Sequence, residues 1–417
     1  SIGKGANSVA GNTVLGELAL DDAVTGGNNT VIGRRAMTAN TSGFRNVAVG
    51  HLALLQNTSG ADNVAIGEQA LDDNTTGSSN VAVGRNALGS NTSADNNTGI
   101  GHDALLSNTT GTNNTSLGAF ALDANTTAGN ITAVGYGSLS GNTTGANNTA
   151  VGAASLNTNT TGADNTAVGL NAAQVNTTGY HLVAIGRNAL AGNTTGYQNI
   201  AIGRACMEAN TTGNNNTAIG QHALLTNTTG TRNTAVGALA LDANITGSNN
   251  TAVGYQALTT NTATNNTAYG YQAMRLNTTG TSNVAIGLQA MNVNVNGSEN
   301  TVIGHQALDA NTSGATNTAV GAFALGANTT ASNNTAVGNR ALLANTTASN
   351  NTAVGNRALE ENTTGIQNTA VGSQALDANT TGNYNDAFGV NTLTENTTGV
   401  ANAAFGSYSL QLNTTGN

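Results

Sequence analysis

The stretch NTAVGALALDANITGSN, residues 233–249, is followed at once by NTAVGYQALTTNTATN and then by NTAYGYQAMRLNTTGTS. Aligned on the glycine of AVG, the chain contains 24 such glycines between Gly16 and Gly406. Successive glycines are 17 residues apart, except for one spacing of 16 between Gly254 and Gly270. A fixed period of this kind is typical of repeat proteins, whose units stack on their neighbours.

The composition also favours a regular repeat over a disordered chain. The 417 residues include 54 Gly and no Pro, 38% are hydrophobic and only 7% are charged. A net charge of −9 and scattered basic residues argue against nucleic-acid binding. No apolar run approaches the roughly 18 residues of a membrane span, so we expect no membrane insertion.

Each column of the alignment has its own chemistry. The residue before the glycine is always large and apolar, and the residue four after it is Leu in 19 of 24 repeats and Met in four. We expect both columns to form the core. Small residues, mostly Ala, lie two before and three after the glycine. The single cysteine, Cys206, occupies one of these Ala positions, so we interpret it as a small buried residue and not as a reactive thiol.

A 17-residue unit is too short for a helical hairpin, and its Thr, Val and Ile favour strands. The sequence therefore predicts an all-β fold, a parallel β-solenoid (β-roll) of about 24 coils. We expect one continuous domain over residues 1–417, with no separate cap, stalk or anchor domain. Each coil would contain two short strands, NTAV and the xAL segment, joined by bends at the glycine and at NTTG. The residue missing near Ala263 would be lost from a loop.

Both faces of the NTAV strand are nearly apolar. We expect the Val and Ile column to fill the interior and the neighbouring Ala column to face outward. A continuous outward strip of Ala would need another chain or wall to cover it, which favours a homo-oligomer.

Asparagine occupies 22 of 24 places four before the glycine and 23 of 24 places seven after it. Stacked amides of successive coils can donate and accept along a column, so the pattern predicts two Asn ladders. The alternative is N-glycosylation, because NTT, NTS and NIT are acceptor sequons. The candidate acceptors lie seven after the glycine, in the predicted turns: Asn40, Asn108, Asn227, Asn244, Asn277, Asn345 and Asn379.

No constellation of catalytic residues repeats along the chain. The adjacent carboxylates Asp72–Asp73 and Glu360–Glu361 would point to opposite faces of a strand, so we interpret them as solvated surface residues. The five His lie in distant coils, which argues against a metal site. We therefore expect no catalytic, cofactor-binding or metal-binding residues, no cofactor and no enzymatic activity.

The segments NVAVG at 46–50, NVAIG at 63–67 and NSVAG at 7–11 resemble the head repeats of trimeric autotransporter adhesins. The longer unit NTAVGYQAL at 250–258 resembles repeat stalks of bacterial and phage tail-fibre-like surface proteins. The adhesin resemblance implies a left-handed β-roll and a trimer, although the 17-residue unit here is longer than the adhesin head unit.

These observations predict a structural extracellular or cell-surface fibre or filament subunit, used for attachment or scaffolding. The partners would be other copies of the chain, in a head-to-tail filament or a trimer, and host or surface glycans. We expect the two ends to meet in the filament, through Ser1, Ile2 and Gly3 at one end and Asn413 to Asn417 at the other. The alternative is an ice- or carbohydrate-binding solenoid that uses Thr and Asn ladders.

Overall fold

A computed structural model describes residues 2, 3, 5 and 8–416 of the chain. The fold is the predicted all-β parallel β-solenoid with a repeat of about 17 residues. Two compact units are distinguished, residues 1–212 and 213–417, and each is described by itself. The single continuous domain expected from the sequence therefore stays a prediction.

The first unit begins with a short strand, β1 (Ile2–Gly3), and continues with parallel strands of three residues each, one in every coil. Neighbouring strands pair residue by residue at equivalent positions of the repeat, as in Thr149 with Thr166 and Val151 with Val168. The parallel strands β2–β13 are Thr13–Leu15, Thr30–Ile32, Val47–Val49, Val64–Ile66, Val81–Val83, Thr98–Ile100, Thr115–Leu117, Thr132–Val134, Thr149–Val151, Thr166–Val168, Val183–Ile185 and Ile200–Ile202.

The second unit repeats the same arrangement with a further run of parallel strands in register. Each of these strands has three residues, and the strands differ only in which residue types occupy the three positions. The strands β14–β25 are Thr217–Ile219, Thr234–Val236, Thr251–Val253, Thr267–Tyr269, Val284–Ile286, Thr301–Ile303, Thr318–Val320, Thr335–Val337, Thr352–Val354, Thr369–Val371, Asp386–Phe388 and Ala403–Phe405.

The xAL segment is a turn, so the prediction of a second strand there is wrong. Its residues alternate into the left-handed region, with φ of 54° at Gln69 and 55° at Leu71. Backbone bonds to the next coil still form, from Leu54 N to Ala70 O at 2.9 Å and from Thr58 N to Thr75 O at 2.9 Å. Coils are thus hydrogen-bonded on every side, although only one side is a regular strand.

The glycine that ends each strand forms a sharp corner. At Gly50, φ is +142°, and a Cβ atom would lie 2.3 Å from the carbonyl oxygen of Gly67 in the next coil. A side chain would collide with that backbone, in a conformation that L-residues rarely adopt. This close approach explains why the aligned position is glycine in every repeat.

The interior of each coil is filled by small residues and leucine. The Leu column is fully buried except at Leu410 in the last coil, which is 49% exposed, and its four Met replacements, Met37, Met207, Met274 and Met291, are buried as well. Both Ala columns and Cys206 are also buried. The Leu, Met and Cys206 predictions are therefore confirmed.

The two faces of the strand are reversed relative to the prediction. The middle residue of each strand, usually Ala, points inward, and the Val or Ile before the glycine points outward. Ile66 is 40% exposed and Ile185 is 38% exposed, whereas Ala65 and Ala184 are fully buried. The coil is narrow, and once leucine and asparagine occupy its centre a small side chain fits best under the sheet, although Val14, Val31 and Val302 take this position in three coils.

The one short coil keeps its sheet register. Thr251 pairs with Thr267 and Val253 with Tyr269, across an offset of 16 residues. The missing residue is absorbed in the turn, because the Asn261 side chain bonds the carbonyl of Ala263, two residues on, whereas other coils bond a carbonyl three residues on. The prediction that the loop takes up the deletion is confirmed.

At the chain start, Ile2 lies opposite Leu15 and Gly3 opposite Val14, so β1 pairs antiparallel with β2. At the other predicted assembly end, the Asn413 amide donates to Asn396 Oδ1 at 3.2 Å. Ser1 and Asn417 lie outside the described residues.

Candidate functional site

The asparagines seven after the corner glycine form a ladder in each unit's interior, which is interrupted in the second unit between Asn244 and Asn261. In the first unit the Nδ2 group of each donates to the Oδ1 of the preceding coil, at 3.0 Å from Asn57 to Asn40 and 2.7 Å from Asn176 to Asn159. The same Nδ2 group donates to the carbonyl three residues on, as from Asn57 to Gly60 at 3.1 Å. Two donors and one acceptor of each amide are thus used inside the coil.

The asparagines four before the glycine form a second ladder with a different pattern. Here the backbone N–H of one coil donates to the side-chain oxygen of the coil before, as from Asn97 to Asn80 Oδ1 at 2.9 Å. The Asn97 side chain donates in turn to the carbonyl of Gly111 at 2.9 Å. At Ile131 and Leu182 an apolar side chain takes the place of Asn and is equally buried.

All seven glycosylation candidates belong to the first ladder. Their side chains are fully buried, contrary to the expectation that they face outward from the turns. The Nδ2 atom, to which a sugar would be attached, donates in each case to a turn carbonyl at 2.9–3.1 Å, in Asn40, Asn108, Asn227, Asn244, Asn277, Asn345 and Asn379. A glycan at any of them would need to break these bonds and open the coil. The structure thus disfavours sugar on the folded chain, and the intact mass decides the question.

The threonines after these asparagines are also used within the protein. The Thr58 hydroxyl donates to Thr75 O at 2.9 Å, and the Thr75 hydroxyl donates to Thr92 O at 2.9 Å. The second Thr of NTT, such as Thr76, is exposed. The outer threonine of the NTT turns and the first threonine of the strands are therefore among the residues that present hydroxyl groups toward solvent.

The adjacent carboxylates behave differently from the solvated pairs that we expected. Their side chains do diverge, because Asp73 and Glu361 are exposed whereas Asp72 is half-buried and Glu360 is 1% exposed. Burial, reinforced by the charge of Asp73, raises the pKa of Asp72 to about 6. The interpretation as surface residues is thus wrong for Glu360 and for Asp72.

Glu360 is the centre of an ion cluster in the second unit. Arg340 Nη2 lies 2.5 Å from Glu360 Oε1, and Arg357 Nε bonds Glu360 Oε2. Arg357 also approaches Asp377 Oδ2 at 3.7 Å. The two guanidinium groups come from successive coils and neutralise the buried carboxylate, so the cluster joins coils and has the character of a structural bridge.

The other titratable side chains are spread along the coils. Burial raises the pKa of the Cys206 thiol to about 12, which opposes thiolate formation at neutral pH. Within the described residues, no three His, Cys, Asp or Glu side chains are grouped so as to hold a metal ion. Nor does the described part of the chain include a helix long and apolar enough to cross a lipid bilayer.

Comparison with known proteins gives no assignment. No protein-family model matches the chain, and no curated protein sequence matches it. The adhesin-like or tail-fibre-like type of the repeat therefore stays a prediction, while the β-solenoid itself is established by the strand pairing.

Proposed function

We propose that the chain is a structural fibre or filament subunit, whose stacked coils provide a stiff scaffold for attachment at a cell surface or outside the cell. One observation carries this proposal: apart from the outward Val and Ile column, the most strictly repeated residues are buried or form the corners. The Asn, Ala and Leu columns fill the interior and the Gly column forms the corner, while the positions that differ between coils face outward. What the sequence repeats therefore serves the stacking of coils and not a repeated binding site.

Self-association is part of the same proposal. The outward Val and Ile column gives each unit a long apolar strip, in which Ile32, Ile66 and Ile185 are 37–40% exposed. The sequence predicted such a strip, although it assigned it to Ala. An apolar strip of this length is typical of surfaces that another chain covers.

Sedimentation velocity and cryo-electron microscopy of the purified chain at micromolar concentration test the proposal. We expect elongated particles with a mass above the 41.1 kDa of one chain. The double variant Ile66→Lys, Ile185→Lys should reduce the mass to that of one chain and keep the circular dichroism spectrum. Thr76→Lys, in an exposed turn, is the control and should leave the assembly intact. A compact single-chain species of the unmodified protein would refute both the fibre and the oligomer.

The alternative, an ice- or carbohydrate-binding surface made of Asn and Thr ladders, has less support. The asparagine amides and the first threonine hydroxyl of each turn are bonded within the protein. A thermal-hysteresis measurement on the unmodified chain tests whether the outward threonines of the strands bind ice.

A further inference from the structure

The repeat is interrupted in the first unit at one half-buried position beside the corner. The second residue after the corner glycine carries a side chain in every coil but one, where it is Gly137. Its φ of +61° matches the 55–57° of residues such as Asn86, Phe120 and Asn171 at the same position, so the backbone is unchanged and only the side chain is absent. The gap is a cavity of about 280 Å³, lined by Phe120, Asp123, Tyr136, Gly137, Ser140 and Asn157.

Two aromatic rings form walls of this cavity at nearly a right angle. The centroids of Phe120 and Tyr136 are 5.9 Å apart and their planes are inclined by 83°. His102 lies edge-on to Phe120, at 5.2 Å and 77°. The rings of Phe120 and Tyr136 therefore pack edge to face on each other, and the Tyr136 ring remains 65% exposed. A cation can rest against the exposed face of such a ring.

A carboxylate with an unused acceptor completes the lining. Asp123 Oδ1 is enclosed and has no hydrogen-bond partner in the structure. Burial raises the pKa of Asp123, hydrogen bonding to Ser140 opposes the shift, and the charge of Asp103 adds to it. Asn157 is occupied otherwise, since its Nδ2 donates to Gly137 O at 2.8 Å. The same Oδ1 atom is enclosed and unpartnered in Asp242, Asp309 and Asp377, so it does not by itself mark a site. In this coil, however, the carboxylate borders the cavity, where a positive charge would be attracted to it.

We propose that the cavity binds a small organic ammonium group, either a trimethylammonium group or a protonated amine, against the rings of Phe120 and Tyr136 with Asp123 as counter-ion. The lining has no basic side chain, which disfavours phosphate and carboxylate ligands. The volume suits one small group and lies just below the usual range for drug-sized ligands. A neutral sugar would stack on one open ring face and would leave the carboxylate charge uncompensated.

Titration of choline into the full chain, followed by NMR of the Phe and Tyr ring protons and by calorimetry, tests the proposal. The uncharged carbon isostere 3,3-dimethylbutan-1-ol has the same shape without the charge, and glucose represents the neutral sugars. We expect saturable shifts of the Tyr136 and Phe120 signals with choline, and binding of the isostere at least about tenfold weaker. Equal binding of the isostere, or binding of glucose alone, would overturn the assignment, as would the absence of saturable choline binding.

Two variants locate the site. Gly137→Gln restores the side chain found at this position in other coils, such as Gln69 and Gln256, and its Cβ would meet Asn157 Nδ2 at an ordinary 3.4 Å. It should fold normally and abolish choline binding. Asp123→Asn keeps the shape and should weaken binding about tenfold. Asp242→Asn, at the equivalent position of a coil in the second unit, is the control and should bind choline like the unmodified chain. Unchanged binding by Gly137→Gln contradicts the proposal.

Discussion

At the scale of single residues, the fold depends on backbone conformations that most residues avoid. Leu54 and Leu71 adopt φ of 53° and 55°, in the left-handed region, and are fully buried. The left-handed conformation costs about 1–2 kcal/mol per residue, whereas burial of a leucine side chain contributes about 1.5–3 kcal/mol. Leucine is therefore retained where local preference alone would favour Gly or Asn, because its packing offsets the strain.

The corner glycines give the first prediction. Gly50→Ala should lower the free energy of unfolding by about 3 kcal/mol or more, because the new Cβ would lie 2.3 Å from Gly67 O. Gly137→Ala also has positive φ but no such collision, and we expect a loss of only about 1 kcal/mol. Urea denaturation of both variants makes the comparison. Similar losses would show that strain in φ, and not the approach of the next coil, selects glycine at the corner.

The Leu column gives the second prediction. Leu241→Asp should destabilise its coil by about 3–5 kcal/mol, because a carboxylate in this buried column has no partner. Ile245→Asp is the same kind of change at a residue of the same coil that is 48% exposed, and should cost less than about 1 kcal/mol. Thermal melts followed by circular dichroism distinguish them. The assignment of leucine to the interior fails if both variants melt alike.

Half-buried aspartates give a third prediction, about pH. They share the fifth position after the corner glycine, and burial raises the pKa of each: Asp72, Asp123, Asp242, Asp309 and Asp377. A folded pKa above the unfolded value, about 6 against 3.8 for Asp72, means that the folded state binds more protons between these values. This contribution to stability therefore falls as pH rises from about 4 to about 6.

Asp72→Asn isolates the effect. The variant should raise the melting temperature at pH 7.5, where Asp72 is charged, and change it much less at pH 5. Asp73→Asn is the control, because it removes one negative charge at the neighbouring residue. We expect it to change the melting temperature less, because Asp73 is exposed. An Asp72→Asn shift that is independent of pH would mean that the side chain is not desolvated as the structure indicates.

At the scale of the element, the strand and its turns show what the sequence could and could not predict. The period predicted the NTAV strand, the corner, the Leu core, the Asn ladders and the site of the deletion near Ala263, but it wrongly predicted a second strand in the xAL segment. It could not tell which face of the strand points inward. Successive side chains of a strand point to opposite faces, and this alternation does not show which face is the inner one. Hydrophobicity alone favours Val over Ala for the interior. The choice depends on the width of the coil, which is set by side chains from the opposite turn.

The candidate cavity was also beyond the sequence. In the sequence, Gly137 is only one more glycine in a glycine-rich chain.

The direction of the turn asparagines was not predictable either, because their sequons suggested side chains that face outward. Sequons and ladders use the same residue types, so only the direction of the side chain separates the two interpretations. That direction follows from the left-handed turns at positions such as Leu71, which single-sequence propensities do not predict.

The second ladder gives a fourth prediction, with neighbouring residues as variant and control. Asn97→Asp replaces the amide that donates to Gly111 O with a buried carboxylate, and should destabilise by about 3 kcal/mol at pH 7. Asn96→Asp changes the adjacent, exposed asparagine and should have an effect below about 0.5 kcal/mol. The loss at Asn97 should shrink at acidic pH, where a protonated carboxyl can donate again. Urea denaturation at pH 7 and pH 4 tests this prediction. Equal losses of stability for Asn97→Asp and Asn96→Asp would contradict the assignment of this ladder to the interior.

At the scale of the whole molecule, the mass of the purified chain is the simplest test of glycosylation. We expect 41.1 kDa without added hexose, because the seven acceptor amides are buried and bonded. Intact-mass spectrometry of protein from a glycosylating host makes this measurement, with the same chain from a non-glycosylating host as reference. An excess mass that maps to these asparagines would mean that sugar is attached before the coils close, and that the ladder is incomplete in the natural protein.

The coil that lacks one residue has a consequence for how such a chain changes over generations. Its sheet register is kept, and the loss leaves one interior acceptor, Asn244 Oδ1, without a partner. The ladder resumes at once, with Asn277 donating to Asn261 at 2.7 Å. The loss is thus confined to one turn and leaves the sheet intact. By the same reasoning, we expect that whole 17-residue blocks can be gained or lost without a break in the sheet, so that the number of coils can change independently of what any one coil displays on its surface.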